Sequence, residues 1–127
     1  MNAMTEQNKA TIRRLYEAGL NGPDPEVIDQ VYAPDVELHI LGVPEDPYGP
    51  APVHELFATI QKAGCQAVIE DLVADGDKVV ARITLRPPHE GRILGVSPLE
   101  PNPASTRIDV FRLHRGRIVE QWGLSSG

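Results

Sequence analysis

Three side chains in this sequence could move a proton or stabilise a negatively charged oxygen. Asp109 lies on the same face of a predicted strand as Phe111 and Leu113, and a carboxylate buried there is costly unless it is paired or neutralised. A protonated aspartic acid in that place can donate a hydrogen bond to an enolate oxygen, and Tyr16 could add its hydroxyl from a predicted helix. His39, in the first predicted strand, is the candidate general base.

Each of these residues also has an ordinary structural explanation. Asp109 can form a structural ion pair with Arg107 or with Arg82. Tyr16 can be a core aromatic residue whose hydroxyl reaches the surface, and His39 can face solvent from its strand. The residues alone leave both interpretations open.

Six further residues are candidate ligand contacts. Arg82 interrupts an apolar run and could bind an anionic group of a ligand, and His89 begins a loop that could line the mouth of a pocket. The others are aromatic or amide side chains, namely Phe57, Phe111, Tyr48 and Gln121. The histidines lack the spacing of metal ligands, so neither a metal nor a cofactor is expected.

The charge and the composition disfavour several classes of partner. The chain has 18 acidic and 12 basic residues and a formal net charge of -6, which disfavours nucleic acid and an anionic membrane surface as partners. No stretch approaches the roughly 20 apolar residues of a membrane span. Cys65 is the only cysteine, and the N-terminus lacks the apolar stretch of a signal peptide. A cytoplasmic location is therefore expected.

Three helices and five strands are predicted to position these residues, within a single domain spanning 1–127. Apolar residues at helical spacing predict helices over 6–20 and 53–63, and Asp24-Pro25-Glu26 is typical of the start of a short helix between them. Strands are predicted at 36–40, 67–73, 78–85, 106–113 and 117–122, with a further short strand possible at 92–96.

The order of these elements predicts an α+β fold, in which helices cover one face of an antiparallel sheet. The strand at 106–113 has apolar residues on both faces, with Phe111 on one side and Ile108 and Val110 on the other. A sheet of this kind needs a cover on its second face as well. A second copy of the chain is the simplest cover, so a homodimer through the outer sheet face is predicted.

Several short motifs, spread over nearly the whole chain, resemble the SnoaL-like polyketide cyclases of the nuclear transport factor 2-like superfamily. They are Tyr32-Ala33-Pro34-Asp35-Val36, Tyr48-Gly49, Asp75-Gly76-Asp77-Lys78-Val79, His89-Glu90-Gly91 and Gly116-Arg117-Ile118-Val119-Glu120-Gln121-Trp122. The resemblance implies a cone-shaped half-barrel. A bent, mostly antiparallel sheet would wrap around three N-terminal helices and enclose a pocket for a small apolar ligand.

Two stretches are also similar to the ketosteroid isomerases of that superfamily, one from Tyr16 to Asn21 and one around Asp109. The similarity implies that Tyr16 and Asp109 form an oxyanion hole. The position of the base falls on Ile40, which cannot accept a proton. His39 precedes it by one residue, and a one-residue bulge could turn His39 inward.

Two other family positions lack their carboxylate in this chain. The polyketide cyclases have a pocket aspartate just after the tryptophan, where this sequence has Gly123. The related limonene epoxide hydrolases need an Arg-x-Asp pair, where this sequence has Arg82 and Thr84. Epoxide hydrolysis by that mechanism is therefore not expected.

Three functions remain open on these grounds. The first is a cofactor-independent isomerase or cyclase that enolises a small apolar carbonyl compound, with His39 as base and Tyr16 and Asp109 as oxyanion hole. The second is a non-catalytic small-molecule binding protein of the same fold. The third is an assembly module, homodimeric or joined to a different protein, that uses the outer face of the sheet.

Overall fold

The computed structural model describes residues 3–22, 24–40, 49–86 and 105–125. Three helices and five strands follow one another in the predicted order, with bounds that differ by a few residues from those expected. In chain order they are α1 (Ala3–Arg14), a π-helical segment (Leu15–Leu20), α2 (Glu26–Val31), β1 (Tyr32–Ile40), α3 (Ala51–Lys62), β2 (Gln66–Asp75), β3 (Lys78–Arg86), β4 (Ser105–His114) and β5 (Arg117–Ser125). The possible strand at 92–96 lies outside the described residues.

The five strands form one open sheet in the order β1-β5-β4-β3-β2. Three of the four pairings are antiparallel, and β1 runs parallel to β5. The strands β1 and β2 are the two edges, so the described sheet does not close into a barrel. The predicted α+β fold with a mostly antiparallel sheet is confirmed.

The two faces of the sheet differ because successive side chains of a strand point to opposite sides. In β4, Asp109 and Phe111 point inward and are buried. Ile108 points to the opposite face and is 46% exposed. The helices pack on the inner face, and together they bury an apolar core. Its largest fully buried members include Tyr32, Phe111, Ile12, Leu15, Ile28, Ile83 and Ile118.

The π-helical segment sets the position of Tyr16 over this core. Its turn is wider than an α-turn, because the backbone N–H of Asn21 donates to the carbonyl of Tyr16 at 2.9 Å. The side-chain amide of Asn21 then exchanges two hydrogen bonds with the backbone of Ala67 in β2, at 2.7 and 2.8 Å. The ring of Tyr16 meets Phe111 edge to face at a centroid distance of 6.3 Å.

The outer face of the sheet presents large apolar side chains to solvent. Ile108 and Leu124 are 46% and 68% exposed on neighbouring strands, and Val73 and Val80 are also exposed. None of the described helices is long and apolar enough to cross a membrane.

Candidate active site

Asp109 is the centre of a buried polar network on the inner face of the sheet. Its side chain is 1% exposed and accepts hydrogen bonds at both carboxylate oxygens. The Tyr16 hydroxyl donates to Oδ2 at 2.6 Å, and Arg107 Nε donates to the same oxygen at 2.9 Å. Gln121 Nε2 donates to Oδ1 at 3.3 Å. This set of donors matches an ionised carboxylate, which can only accept.

Four elements bring the network together. Arg107 and Asp109 lie two residues apart on β4 and therefore share its inner face. Gln121 comes from the neighbouring β5 and Tyr16 from the π-helical segment. Tyr32, at the start of β1, donates its hydroxyl proton to Gln121 Oε1 at 2.5 Å and orients the amide toward Asp109.

Burial and the carboxylate together fix the protonation of the surrounding groups. Burial raises the pKa of Tyr16 well above its usual value, and the charge of Asp109 raises it further. The pKa of Tyr32 is raised for the same two reasons. Burial alone would lower the pKa of Arg107, but the charge and hydrogen bond of Asp109, with smaller contributions from Tyr16 and Tyr32, together raise it. Both tyrosines remain donors and Arg107 remains a cation at neutral pH.

One donor of the network is left over. Arg107 Nη2 is buried and has no hydrogen-bond partner in the part of the chain that the structure describes. A buried donor without a partner costs about 1–3 kcal/mol. By contrast, the hydroxyl proton of Tyr16 is already donated to Asp109. Arg107 Nη2 is thus the group of this network best placed to donate a hydrogen bond to an oxygen atom of a ligand.

Gly123 makes room for the ion pair. It lies directly opposite Asp109 in the β4–β5 ladder. A Cβ atom at this position would lie 2.5 Å from Asp109 Oδ1 and 2.7 Å from Arg107 Nη2. Any side chain here, including the aspartate found in polyketide cyclases, would therefore displace the pair from its present geometry.

A narrow cavity lies beside the network. Its volume is about 10 Å³, enough for roughly one water molecule. The members of the network form its polar side. Its apolar side consists of Leu15, Leu20, Ile40, Val53, Leu56, Phe57, Ile60, Ile83 and Leu85. The arrangement offers one anionic and one cationic group to a molecule that is otherwise held by apolar contacts.

The structure brings some of the predicted site residues together at this cavity. Tyr16, Asp109, Gln121 and Phe57 line it. Phe111 is buried against the ring of Tyr16 rather than at the cavity wall. Of the four remaining candidates, Tyr48 and His89 lie outside the described residues.

His39 lies on the opposite face of the sheet and does not reach the network. Its Nε2 is 2.8 Å from Glu120 Oε2, whereas its neighbour Ile40 is buried toward the cavity. The strand register of β1 does shift, but it does so between Tyr32 and Glu37. This shift precedes His39 and leaves Ile40 inward, so the geometry does not support His39 as the base for this site.

Arg82 is also on the outer face. It follows the inward residue Ala81 and precedes the inward residue Ile83, so the alternation of the strand turns it away from the cavity. Its Nε donates to Asp71 Oδ2 at 2.6 Å on the neighbouring strand. Arg82 therefore pairs with Asp71 rather than with Asp109, and it does not line the cavity.

Two members of the network had no assigned ligand role from the sequence. The sequence predicts Arg107 as a possible ion-pair partner of Asp109, and its spacing of two residues indicates that both share the inner face. Tyr32 begins a strand directly after a helix. Because no strand residues precede Tyr32, no alternation of side chains predicts which face of the sheet its ring occupies.

Comparison with known proteins agrees with this architecture. The family model described as SnoaL-like polyketide cyclase matches residues 10–126. A search of curated proteins finds no match.

Solved structures similar to this chain include IdmH of Streptomyces antibioticus, a proposed polyketide cyclase. The two chains are 29% identical and superpose with a TM-score of 0.79. The match covers 94% of this chain and 92% of IdmH. A SnoaL-like protein of Jannaschia sp. CCS1 is 20% identical, with a TM-score of 0.79 and coverage of 99% and 90%. An epoxide hydrolase of M. tuberculosis is 18% identical, with a TM-score of 0.69 and coverage of 96% and 84%.

Replacing Gly123 by alanine should destabilise the protein by about 1–3 kcal/mol, because the added Cβ forces apart Asp109 and Arg107. The free energy of unfolding in urea measures the effect. Gly19→Ala is the matched control, since a Cβ there would meet Val27 and Leu15 at ordinary distances of 3.6–3.7 Å. The control should be neutral or more stable by up to about 1 kcal/mol. Equal stability of Gly123→Ala and wild type would contradict this role of the glycine.

Proposed function

We propose that this protein, which belongs to the SnoaL-like polyketide cyclase family, is a cofactor-independent cyclase or isomerase that enolises a small apolar carbonyl compound. The observation that carries the proposal is the buried Arg107–Asp109 pair beside an apolar cavity, with Arg107 Nη2 lacking a hydrogen-bond partner among the described residues. Family membership supports this class of chemistry and leaves the substrate open.

The geometry favours roles different from those expected from the sequence. Asp109 accepts hydrogen bonds, so it would act as the base that removes a proton from the carbon beside the carbonyl group. Arg107 Nη2 would donate to the oxygen on which negative charge develops. Such a donor is typically worth about 10²–10³ in rate. Tyr16 would hold the carboxylate in position.

Both possible outcomes of this enolisation balance without a redox step. In an isomerisation, Asp109 returns the same proton to a different carbon of the enolate. In a cyclisation, the enolate carbon attacks a second carbonyl group of the same molecule, a carbon–carbon bond forms, and the new alkoxide takes the proton back from Asp109. Neither route gains or loses electrons, so neither needs a redox cofactor.

A substrate larger than water needs a wider cavity than the present one, and we propose that α3 moves to provide it. This helix supplies Val53, Leu56, Phe57 and Ile60 to the apolar side of the cavity. Its contacts with the other described elements are made chiefly with the π-helical segment. Displacement of α3 would widen the cavity while the sheet and the ion pair stay in place.

One observation favours the non-catalytic alternative, a small-molecule binding protein on the same scaffold. Asp109 already accepts hydrogen bonds from Tyr16, Arg107 and Gln121, and these donors occupy lone pairs that a substrate proton would need. In that case Arg107 Nη2 would bind an oxygen of the ligand without any proton transfer.

Deuterium exchange separates the two functions without knowledge of the natural substrate. Wild type should accelerate the uptake of deuterium from D2O at the carbon beside the carbonyl group of 2-tetralone, followed by proton NMR. Asp109→Asn removes the base and should lower the enzymatic rate by about 10²-fold or more. Asp71→Asn is the matched control, because Asp71 also pairs with an arginine, Arg82, but outside the cavity. The control should keep the wild-type rate.

Binding of the fluorescent phenol 2-naphthol complements the exchange experiment. Saturable binding by wild type that is lost in Arg107→Met, together with no exchange of 2-tetralone, would support the binding protein over the enzyme. Exchange that persists unchanged in Asp109→Asn would remove Asp109 from the mechanism.

We propose that a second copy of this chain packs against the outer face of the sheet and forms a homodimer. The exposed side chains of Val80, Ile108 and Leu124 are the support, since they are large and apolar and lie on three adjacent strands. Burying them against a copy of the same face removes apolar surface from water on both protomers.

Sedimentation equilibrium tests this association directly. Wild type should sediment at twice the chain mass of 13.9 kDa, and Ile108→Glu should sediment as a monomer because it places a charge in the apolar interface. Met4→Glu changes an equally apolar side chain that is 47% exposed on α1 and should leave the dimer intact. A wild-type protein that sediments as a monomer would disprove the proposed dimer.

A further inference from the structure

A second group of polar side chains lies on the outer face, near the β1 edge of the sheet. It consists of Glu37 and His39 on β1 and Glu120 on β5. Glu37 and Glu120 are direct partners in the parallel β1–β5 ladder. This group does not take part in the network around Asp109, and the proposed enolisation does not use it.

The three side chains converge on one point in space. Each offers one ligand atom, and all three atoms lie within 4.8 Å of one another. His39 Nε2 is 2.8 Å from Glu120 Oε2 and 4.0 Å from Glu37 Oε2. Ligand atoms bound to Zn²⁺ at about 2.0–2.2 Å in a tetrahedron lie about 3.3–3.6 Å apart. The two observed distances bracket this value, so small rotations of the side chains suffice.

The neighbouring charges leave the necessary oxygen available. Arg112 binds the other oxygen of Glu120, Oε1, at 3.1 Å, and so fixes the carboxylate while Oε2 faces His39. The two glutamates and Arg112 together carry one formal negative charge. An added divalent cation is therefore attracted rather than repelled.

We infer that Glu37, His39 and Glu120 form a binding site for a divalent transition-metal ion, with water completing the coordination. One imidazole and two carboxylates suit Zn²⁺ best among the common ions, since Mg²⁺ and Ca²⁺ favour sites made only of oxygen atoms. The ion would connect the edge strand β1 to β5. It would act as a structural clamp on the parallel pair, independently of chemistry at the cavity.

The chain contains its own reporter for this site. Trp122 is the only tryptophan, and its ring stacks on His39 at a centroid distance of 5.5 Å. A paramagnetic ion such as Ni²⁺ bound to His39 should quench the fluorescence of Trp122. The readout does not depend on any enzymatic activity, so its failure would be distinct from failure of the proposed enolisation.

The test is a titration of the tag-free protein with Ni²⁺, followed by displacement with Zn²⁺. Quenching should saturate at one ion per chain and be reversed by Zn²⁺. A chromophoric Zn²⁺ indicator in competition with the protein gives the affinity of each variant without using Trp122. Glu37→Gln and His39→Gln should each weaken Zn²⁺ binding by about 10-fold or more. At other metal sites, loss of a residue that only supports a ligand already costs about 10-fold in affinity.

His54→Gln is the matched control. His54 Nε2 pairs with Asp29 Oδ1 at 2.9 Å, so it resembles His39 in having a carboxylate partner. Among the described residues this pair has no third ligand. The control should bind Zn²⁺ as wild type does. Absence of saturable binding, unchanged binding by His39→Gln, or equal weakening by His54→Gln would overturn the site.

Discussion

A carboxylate buried in an apolar core must be paired, and the pairing of Asp109 with Arg107 is the constraint on which the rest of this site depends. Both charges lie on the inner face of β4, where an isolated charge would be too costly to keep. The hydroxyl of Tyr16 and the amide of Gln121 complete the coordination of the carboxylate. The absence of a side chain at Gly123 gives the pair its space on the neighbouring strand. The need to pair one buried carboxylate therefore explains residue choices on three elements, namely β4, β5 and the π-helical segment.

The alternation of side chains along the strands separates two kinds of chemistry. Inward residues of β4 and β5 form a buried network beside the apolar cavity, in which Arg107 Nη2 remains without a partner among the described residues. Outward residues of β1 and β5, among them His39 and Glu120, form the half-exposed group proposed to bind a metal ion. The sheet itself keeps the two apart, so a substitution on one face can be interpreted without reference to the other.

Much of the fold could be predicted from the sequence, because helices and strands follow from local periodicity. The inward direction of Asp109 was predicted in the same way, from its spacing to Phe111. The sequence leaves the direction of His39 open, because a one-residue bulge could turn it inward. In the structure the register shift of β1 lies before Glu37, so the alternation from Val36 to Ile40 is uninterrupted and His39 faces outward. The sequence also does not predict that the carboxylate of Asp109 accepts these hydrogen bonds, because the donors Tyr16 and Gln121 come from distant parts of the chain.

The measurement that tests the central claim most directly is the coupling free energy between Arg107 and Asp109. It requires the unfolding free energies in urea of Arg107→Met, Asp109→Asn and the double variant. If the buried pair organises the site, each single variant leaves a charge or donors unpaired and should lose about 3–5 kcal/mol. The double variant should then lose less than the sum of the two, by at least about 2 kcal/mol. Losses that add to within about 0.5 kcal/mol would show that the two residues act independently, contrary to the structure proposed for the site.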